Sequence, residues 1–313
     1  MRDRSRARLT ACLSALVALT AAPLRADSPK QDLLFKKLEA AIAKEDRDLD
    51  GVLGVAIVDL TSGQTYAHNA DEVFPIASSI KLAVLAELYH QAEQAAGGAA
   101  GKATLADLYT MDAADLVEDS AVLAGLTPGV SRVTNRDLAT FMVTVSDNGA
   151  TNVLIRRLGM ENVNALLAGQ GLKETRLRRK MIDLEAARQG RENTSTPREM
   201  AAFLEALYRG RVLGKAMTDD LFKVLSVPKD SSIPRELPAD VRVADKPGSL
   251  EAVRTDSGIV FAKDRPFVIS VMTTFDGDEK AAERTISRIA AAAYRYFDRL
   301  GRSSPYGRAV PPR

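Results

Sequence analysis

The chain has 313 residues, of which 46% are hydrophobic and 27% are charged, and its formal net charge is +2. These values are ordinary for a soluble globular protein with a real core, made of one large domain or two modest ones. The single cysteine, Cys12, excludes disulfides within the chain, and His68 and His90 lack the spacing of metal ligands. We therefore expect no metal and no cofactor.

The first 26 residues have the pattern of a secretory signal peptide. Arginines precede an apolar stretch at 9–22 that is too short for a comfortable membrane span, and Leu24-Arg25-Ala26 offers an imperfect small-residue cleavage site. Cleavage after Ala26 removes five arginines and one aspartate, which turns a slight positive charge into a slight negative one. We expect an exported monomer, periplasmic or secreted, with no nucleic-acid partner and no membrane span after cleavage.

Hydrophobic periodicity and turn residues predict the elements in chain order. The first are a helix at 30–45, a hairpin of strands at 51–59 and 64–68, and a buried helix at 78–94. Residues 104–225 are predicted to be nearly all helical, with helices at 135–144, 151–158 and 197–209. The last are three strands at 241–245, 255–262 and 266–275 and a long amphipathic helix at 280–300.

This order predicts an α/β lobe into which a helical lobe is inserted. The α/β lobe comprises residues 30–70 and 240–300, and the helical lobe comprises residues 75–235. Together they make one domain at 27–300. Residues 301–313 contain three prolines and are expected to be a flexible tail.

The stretch 74–85 carries the first chemical motif. Pro75, Ser78 and Ser79 indicate the start of a helix, and the apolar run after them indicates that this helix is buried. Ser78 and Lys81 are three positions apart and share a helix face, so a hydroxyl at the positive end of a helix would lie one turn from an amine. Such a pair can serve as a nucleophile with its own base.

The Ser-x-x-Lys pattern has little weight alone, because about one copy is expected by chance in a chain of this length. A second copy, Ser226-Val227-Pro228-Lys229, contains a proline that excludes a regular helical turn. Two further motifs follow the first one in the chain. Ser146-Asp147-Asn148 comes after a predicted helix, where a plain turn with a helix cap is the alternative, and Lys246-Pro247-Gly248 comes after a predicted strand.

The three motifs in this order resemble those of the class A β-lactamases and related penicillin-recognising serine hydrolases. The resemblance covers about residues 33–300, and it includes Thr196-Pro197 at a helix start and Asp245 before the strand lysine. It implies an α/β (α+β) fold in which an antiparallel sheet is flanked by the N- and C-terminal helices and carries an inserted all-helical lobe. It also implies that the partner is a small-molecule β-lactam or a cell-wall peptide.

The resemblance assigns the catalytic roles to four side chains. Ser78 would attack the carbonyl of an amide or β-lactam. Lys81 would act as its base if the amine is neutral, and Lys246 is the cation that could lower its pKa. Ser146 would pass a proton to the leaving nitrogen.

The resemblance also implies the contacts with the substrate. Asn148 would form a hydrogen bond with the amide of the substrate's side chain. The backbone N–H groups of Ser78 and Ser249 would form an oxyanion hole beside Gly248. Lys246 would attract a substrate carboxylate, and Arg254 either helps it or is a plain surface charge.

The central loop departs from the family pattern, in which hydrolytic members carry a Glu that positions the water for release of the acyl-enzyme. Counting along the chain puts Lys180 or Met181 at that position, and neither is an acid. Asp183 and Glu185 are the closest carboxylates, and either could substitute only if the loop backbone runs differently. We therefore predict that β-lactams acylate Ser78 and that deacylation is weakened.

The alternatives differ in what happens after acylation. The leading hypothesis is a β-lactamase-like serine hydrolase that hydrolyses the β-lactam amide. A D-Ala-D-Ala peptidase uses the same acyl-serine chemistry without a loop Glu, and a penicillin- or muropeptide-binding protein would stay acylated. A glutaminase on the same scaffold is disfavoured by the export signal, and fold alone does not choose among these functions.

Overall fold

The computed structural model describes residues 29–304 and 306–309. The predicted signal peptide lies outside these residues. No helix within the two described stretches is both long enough and apolar enough to cross a membrane.

The helices in the described part of the chain are α1 (Pro29–Asp48), α2 (Lys81–Ala96), α3 (Asn135–Thr144), α4 (Asn148–Leu158), α5 (Met160–Gly169), α6 (Leu184–Arg188), α7 (Pro197–Tyr208), α8 (Lys215–Leu225) and α9 (Glu279–Gly301). The side chains of Thr134 and Thr196 accept backbone N–H bonds at the starts of α3 and α7, which explains where these helices begin. After α9 the chain turns back, and Ser303 forms an antiparallel bridge with Ala309 in the segment expected to be a tail.

The strands in the same part are β1 (Val52–Asp59), β2 (Thr65–His68), β3 (Phe74–Pro75), β4 (Leu108–Thr110), β5 (Arg132–Thr134), β6 (Thr194–Ser195), β7 (Val243–Leu250), β8 (Val253–Val260) and β9 (Phe267–Thr274). Five of them form one antiparallel sheet in the order β2-β1-β9-β8-β7. Strands from opposite ends of the chain, β1 and β9, pair along their full lengths. The predicted mixed fold with an antiparallel sheet is confirmed.

Alternating side chains along the sheet separate two hydrophobic cores. On β1, Leu53, Val55 and Ile57 pack with α1 and α9, whereas Ala56 and Val58 face the helices that lie between β3 and β7 in the chain. Both faces of the sheet are therefore covered. Its edge strand β7 packs against the turn that precedes α2, which brings the first and third motifs together.

Two predicted boundaries at the motifs are wrong by several residues. The helix predicted at 151–158 begins at Asn148, because the carboxylate of Asp147 accepts the backbone N–H of Ala150 and caps it. The strand predicted at 241–245 continues through the Lys-Pro-Gly motif to Leu250. Proline is tolerated there because β7 is an edge strand.

The start of the buried helix also differs from the prediction. A 3-10 turn, Ala77–Ile80, precedes α2, and no side-chain hydrogen bond caps either element. Ser78 is therefore not a capping residue. Its hydroxyl is left for other contacts.

Gly54 lies on β1 where the sheet meets the helical part. A Cβ atom there would come within 2.6 Å of the Phe74 ring and 2.8 Å of Pro197. We expect Gly54→Ala to lower the free energy of unfolding by about 1–3 kcal/mol, because the crowded site must shift to admit the methyl group. The measurement is urea denaturation. The control is Gly169→Ala, since the added Cβ meets no atom within 4 Å beyond its chain neighbours and the backbone of its own helix. Equal effects of the two substitutions would contradict the prediction.

Candidate active site

The turn before α2 presents Ser78 to a cleft. Ala77, immediately before it, has a left-handed backbone with φ of 46°, a conformation that costs a non-glycine residue of order 1–3 kcal/mol. The turn is held to the sheet by Ser79, whose buried Oγ donates to the carbonyl oxygen of Lys246 at 2.9 Å and lies 2.8 Å from Thr255 Oγ1. Neither Ser79 nor Thr255 can be recognised as a site residue from the sequence, because only the fold brings the two together.

Gly248 explains how closely β7 approaches Ser78. A Cβ atom on Gly248 would lie 2.7 Å from the carbonyl oxygen of Ile76 and 2.9 Å from the backbone nitrogen of Ser78. Any larger residue would push the strand away from the turn. The absence of a side chain at Gly248 thus sets the spacing between Ser78 and the strand that carries Lys246 and Ser249.

The amine of Lys81 lies in the centre of the site and is fully buried. Its Nζ donates to the Ser146 carbonyl oxygen at 2.6 Å, to Asn148 Oδ1 at 2.8 Å and to Ser146 Oγ at 3.0 Å. The first motif and the second therefore meet through one nitrogen atom.

Ser146 links the second motif to the third. Its backbone is left-handed, with φ of 57°, and its Oγ accepts hydrogen bonds from Lys81 and, at 3.1 Å, from Lys246 Nζ. Lys246 also donates to the carbonyl oxygen of Pro247 at 2.9 Å. One hydroxyl is thus shared by two lysine amines.

The loop that carries Ser146 is anchored by its neighbours in the motif. The buried carboxylate of Asp147 accepts the backbone N–H groups of Val122 and Leu123 at 2.9 Å and that of Ala150 at 2.8 Å. Asn148 donates its backbone N–H to the carbonyl oxygen of Asp119 at 3.1 Å. Asp147 is therefore a structural residue, and it fixes the positions of Ser146 and Asn148.

Burial lowers the pKa of both lysines. Burial and the nearby charge of Lys246 lower the pKa of Lys81 well below its ordinary value, whereas the charges of Asp147 and Asp119 oppose this change. Burial also lowers the pKa of Lys246 to about 8, against the opposing charges of two aspartates on β7 and β8. Both amines are therefore easier to deprotonate than an exposed lysine.

Three more ionisable groups are buried behind Lys246. Lys229, from the second Ser-x-x-Lys copy, pairs with Asp245 at 3.1 Å, so this copy serves the structure and does not reach the cleft. Asp256 accepts two backbone N–H bonds, and burial together with Asp245 raises the pKa of Asp256 well above its usual range. A neutral Asp256 reduces the negative charge behind Lys246.

The central loop presents Met181 to the cleft and leaves Lys180 exposed outside it. The side-chain amide of Asn152 on α4 holds Met181, since it accepts the Met181 N–H at 2.8 Å and donates to the Met181 carbonyl at 3.0 Å. Ile182, the next residue, has φ of 61°, which is rare for a β-branched residue. Of the two loop candidates, Lys180 and Met181, only Met181 therefore lines the cleft.

Both candidate loop acids lie outside the cleft, contrary to the possibility considered from the sequence. Asp183 caps the short helix α6 through the backbone N–H of Ala186. Glu185 is exposed and bonds Arg188 and Gln189. Both carboxylates bond groups in or next to α6, because that helix begins directly after Asp183.

Arg254 also does not line the cleft. It lies one residue from Thr255 on β8, and successive side chains of a strand point to opposite faces. Its guanidinium contacts Glu279 and Glu283 of α9 and donates to the carbonyl oxygen of Leu250 at 2.8 Å. The structure therefore places Arg254 in an ion-pair network with α9.

The cleft has a volume of about 440 Å³ and brings together most of the predicted site residues. Its lining includes six of them, namely Ser78, Ser146, Asn148, Lys246, Gly248 and Ser249. Neither histidine lines it, so a Ser-His-Asp arrangement is not available there. Among residues 29–304 and 306–309, no group of three or more His, Cys, Asp or Glu side chains could hold a metal ion.

Comparison with known proteins identifies the family. A sequence model described as "Beta-lactamase enzyme family" matches residues 34–297. The chain is 30% identical over 297 residues to Beta-lactamase SME-1 of Serratia marcescens, covering 90% of this chain and 95% of that protein. It is 36% identical over 255 residues to Beta-lactamase AST-1 of Nocardia asteroides, covering 80% of this chain and 79% of that protein.

The solved structures agree. The structure named "Ancestral (GNCA) Beta-lactamase class A" matches with a TM-score of 0.76 and 30% identity, over 83% of this chain and 100% of that one. The chain therefore belongs to the beta-lactamase enzyme family, as a class A β-lactamase-like serine hydrolase. The resemblance drawn from the three motifs is confirmed.

The lowered pKa of Lys81 has a consequence for stability. Between that pKa and the ordinary value of 10.5, the unfolded chain binds more protons than the folded one, so the free energy of unfolding rises with pH. Lys81→Met removes this titration. We expect the variant to be more stable than the wild type near neutral pH, and the difference to shrink as the pH rises towards about 10.

Urea denaturation of both proteins at several pH values measures this difference. Lys36→Met, which removes an exposed lysine from α1, controls for the loss of a lysine as such. A difference between wild type and Lys81→Met that stays constant over the whole range would contradict the prediction.

Proposed function

We propose that this protein forms an acyl-enzyme at Ser78 with β-lactams and hydrolyses the β-lactam amide slowly. The observation that carries the proposal is the buried amine of Lys81, which bonds both Ser146 and Asn148 and whose pKa is lowered. The lowered pKa lets this amine give up a proton, and a neutral amine three positions after Ser78 in the chain can supply the base that acylation requires.

Acylation follows from these positions. Ser78 Oγ attacks the lactam carbonyl as its proton passes to Lys81, which gives a tetrahedral oxyanion and an ammonium. The backbone N–H groups of Ser78 and Ser249 donate to the oxyanion, as the close approach at Gly248 supports. The C–N bond then breaks, and the ring nitrogen receives a proton from Ser146, which regains one from Lys81 or Lys246 through their hydrogen bonds.

Lys246 has a second role in this proposal. Its buried amine attracts the carboxylate that β-lactams carry next to the ring nitrogen. Because its pKa is about 8, the amine is largely protonated at neutral pH and loses its charge as the pH rises above that value. Pro247 contributes its carbonyl oxygen, which holds the amine in place.

Deacylation is the step that we expect to be slow. It needs a water molecule that is oriented and deprotonated next to the acyl carbonyl. Met181 of the loop lines the cleft and carries a thioether, which is not a base. The carboxylates of Asp183 and Glu185 bond groups of α6 and of the residue that follows it. Turnover then depends on Lys81, which must be neutral again before it can activate the water.

A D-Ala-D-Ala peptidase is the second candidate function. The loop without an acid at the cleft favours it relative to an efficient β-lactamase, because the acyl-serine chemistry is the same and the loop Glu is not needed. Turnover of a D-Ala-D-Ala peptide without turnover of a penicillin would select the peptidase. A lasting adduct without turnover of the peptide or the penicillin would select a penicillin-binding role. All three functions agree with the export that the predicted signal peptide indicates.

The test is the intact mass of the protein over time with benzylpenicillin, alongside Ser78→Ala. We expect a mass increase of one penicillin on the wild type, no increase on Ser78→Ala, and product that accumulates more slowly than the adduct forms. An adduct that also forms on Ser78→Ala, or no adduct on either protein, would overturn the proposal. An adduct that clears as quickly as it forms would refute slow deacylation.

The loop assignment has its own test. Met181→Glu puts a carboxylate at the cleft, and we expect it to shorten the lifetime of the adduct by about tenfold or more, the range of general-base catalysis. Lys180→Glu is the matched control, since Lys180 is exposed outside the cleft. The rate of adduct formation shows whether each variant is folded. Equal lifetimes in both variants would show that Met181 does not occupy the position of the missing acid.

A further inference from the structure

Asp119 is an acidic residue at the mouth of the cleft that the proposed mechanism does not use. It lies before Ser120 in the segment that faces Asn148, and its carbonyl oxygen accepts the backbone N–H of Asn148 at 3.1 Å. Its backbone is left-handed, with φ of 57°, and its side chain is exposed and lines the cleft. The residue is therefore fixed through its backbone while its carboxylate contacts solvent in the cleft.

The other charged side chains that line the cleft are already paired or buried. Arg179 is buried and bonds Glu192 at 2.9 Å, and Asp230 contacts Arg235 at 3.1 Å. Lys246 is buried at the base of the site. Within the described part of the chain, the carboxylate of Asp119 has neither an ion pair nor a side-chain hydrogen bond, so it is an unpaired negative charge in the cleft.

The position of Asp119 indicates which part of a substrate it would contact. Asn148 is the residue expected to bond the amide of the substrate's side chain, and Asp119 is its direct hydrogen-bonded neighbour. Because Asp119 and Asn148 also line the same cleft, a group attached next to that amide would lie on the side of the cleft that carries Asp119. An unpaired carboxylate attracts a cation, and the cation that β-lactams and cell-wall peptides carry at such a place is an ammonium group.

We propose that Asp119 is a specificity-determining residue that favours substrates with an amino group on the side chain next to the bonded amide. The inference rests on the proposed function and names its substrate class, namely amine-bearing β-lactams or peptides. Glu118 precedes Asp119 in the chain, and the charge of Asp119 acts on Lys81 of α2. Arg179, Asp230 and Lys246 are the other charged residues that line the same cleft. The preference is modest because the carboxylate is exposed, and we expect it to be about two- to fivefold, as for an exposed ion pair.

The test compares two penicillins that differ only in the amino group of the side chain, aminobenzylpenicillin and benzylpenicillin. The measured quantity is the ratio of their second-order rate constants for acylation of Ser78, at low ionic strength and below neutral pH. We expect the wild type to prefer the amine-bearing compound and Asp119→Asn to lose the preference. Asp230→Asn is the matched control, because it removes the other acidic residue of the cleft, and it should keep the preference.

Two conditions separate a charge effect from a shape effect. Added salt should reduce the ratio, since exposed charges are screened. Raising the pH above about 8 should also reduce it, because the amino group of the ligand then loses its proton. Loss of charge on Lys246 affects both penicillins and cancels in the ratio.

Failure of the inference differs from failure of the proposed function. If both penicillins acylate Ser78 and the ratio is the same in the wild type and Asp119→Asn, the inference is overturned. If neither forms an adduct, the proposed function fails, and equilibrium binding of the two compounds to Ser78→Ala and to Ser78→Ala/Asp119→Asn decides the inference. Equal binding of the two compounds to Ser78→Ala would overturn it, and a preference that Asp119→Asn removes would support it.

Discussion

Two lysine amines, both buried, bond the hydroxyl of Ser146, and the site is built around this contact. Two ammonium groups cannot lie so close in a place of low dielectric without lowering the pKa of one or both. Burial and the charge of Lys246 lower the pKa of Lys81 well below its ordinary value, and burial lowers the pKa of Lys246 to about 8. The proposed mechanism uses these two amines differently, with Lys81 as the base and Lys246 as the cation.

The same region stores backbone strain. Four of the eight non-glycine residues with positive φ in the described chain, Ala77, Asp119, Ser146 and Ile182, line the cleft. Such residues persist only where surrounding contacts over-determine them. Here those contacts are the bonds of Ser79, Asp147 and Asn152, so part of the stability of the fold is used to hold the site in one conformation.

Sequence reasoning reached the fold class, the family and the residues of the three motifs, because these depend on local patterns and on their order. It missed Ser79, whose hydroxyl reaches a carbonyl oxygen 167 positions away. It gave Arg254 and the two loop acids, Asp183 and Glu185, only as possible site residues. The face of Arg254 depends on strand register, and the direction of Asp183 depends on a short helix that has no periodic signal. Whether Lys180 or Met181 lines the cleft depends on the path of the loop backbone, which the sequence does not give.

The pairing of β1 with β9 has a consequence for how the chain folds. The two strands form the centre of the sheet, yet about 200 residues separate them, so the sheet cannot close until nearly the whole chain is available. Contacts of such long range slow folding, because a large loop must be closed before they form. The helical part can collapse earlier, but its face towards the sheet stays uncovered until the last strands arrive. Closure of the sheet is therefore the folding event that needs both ends of the described chain at once.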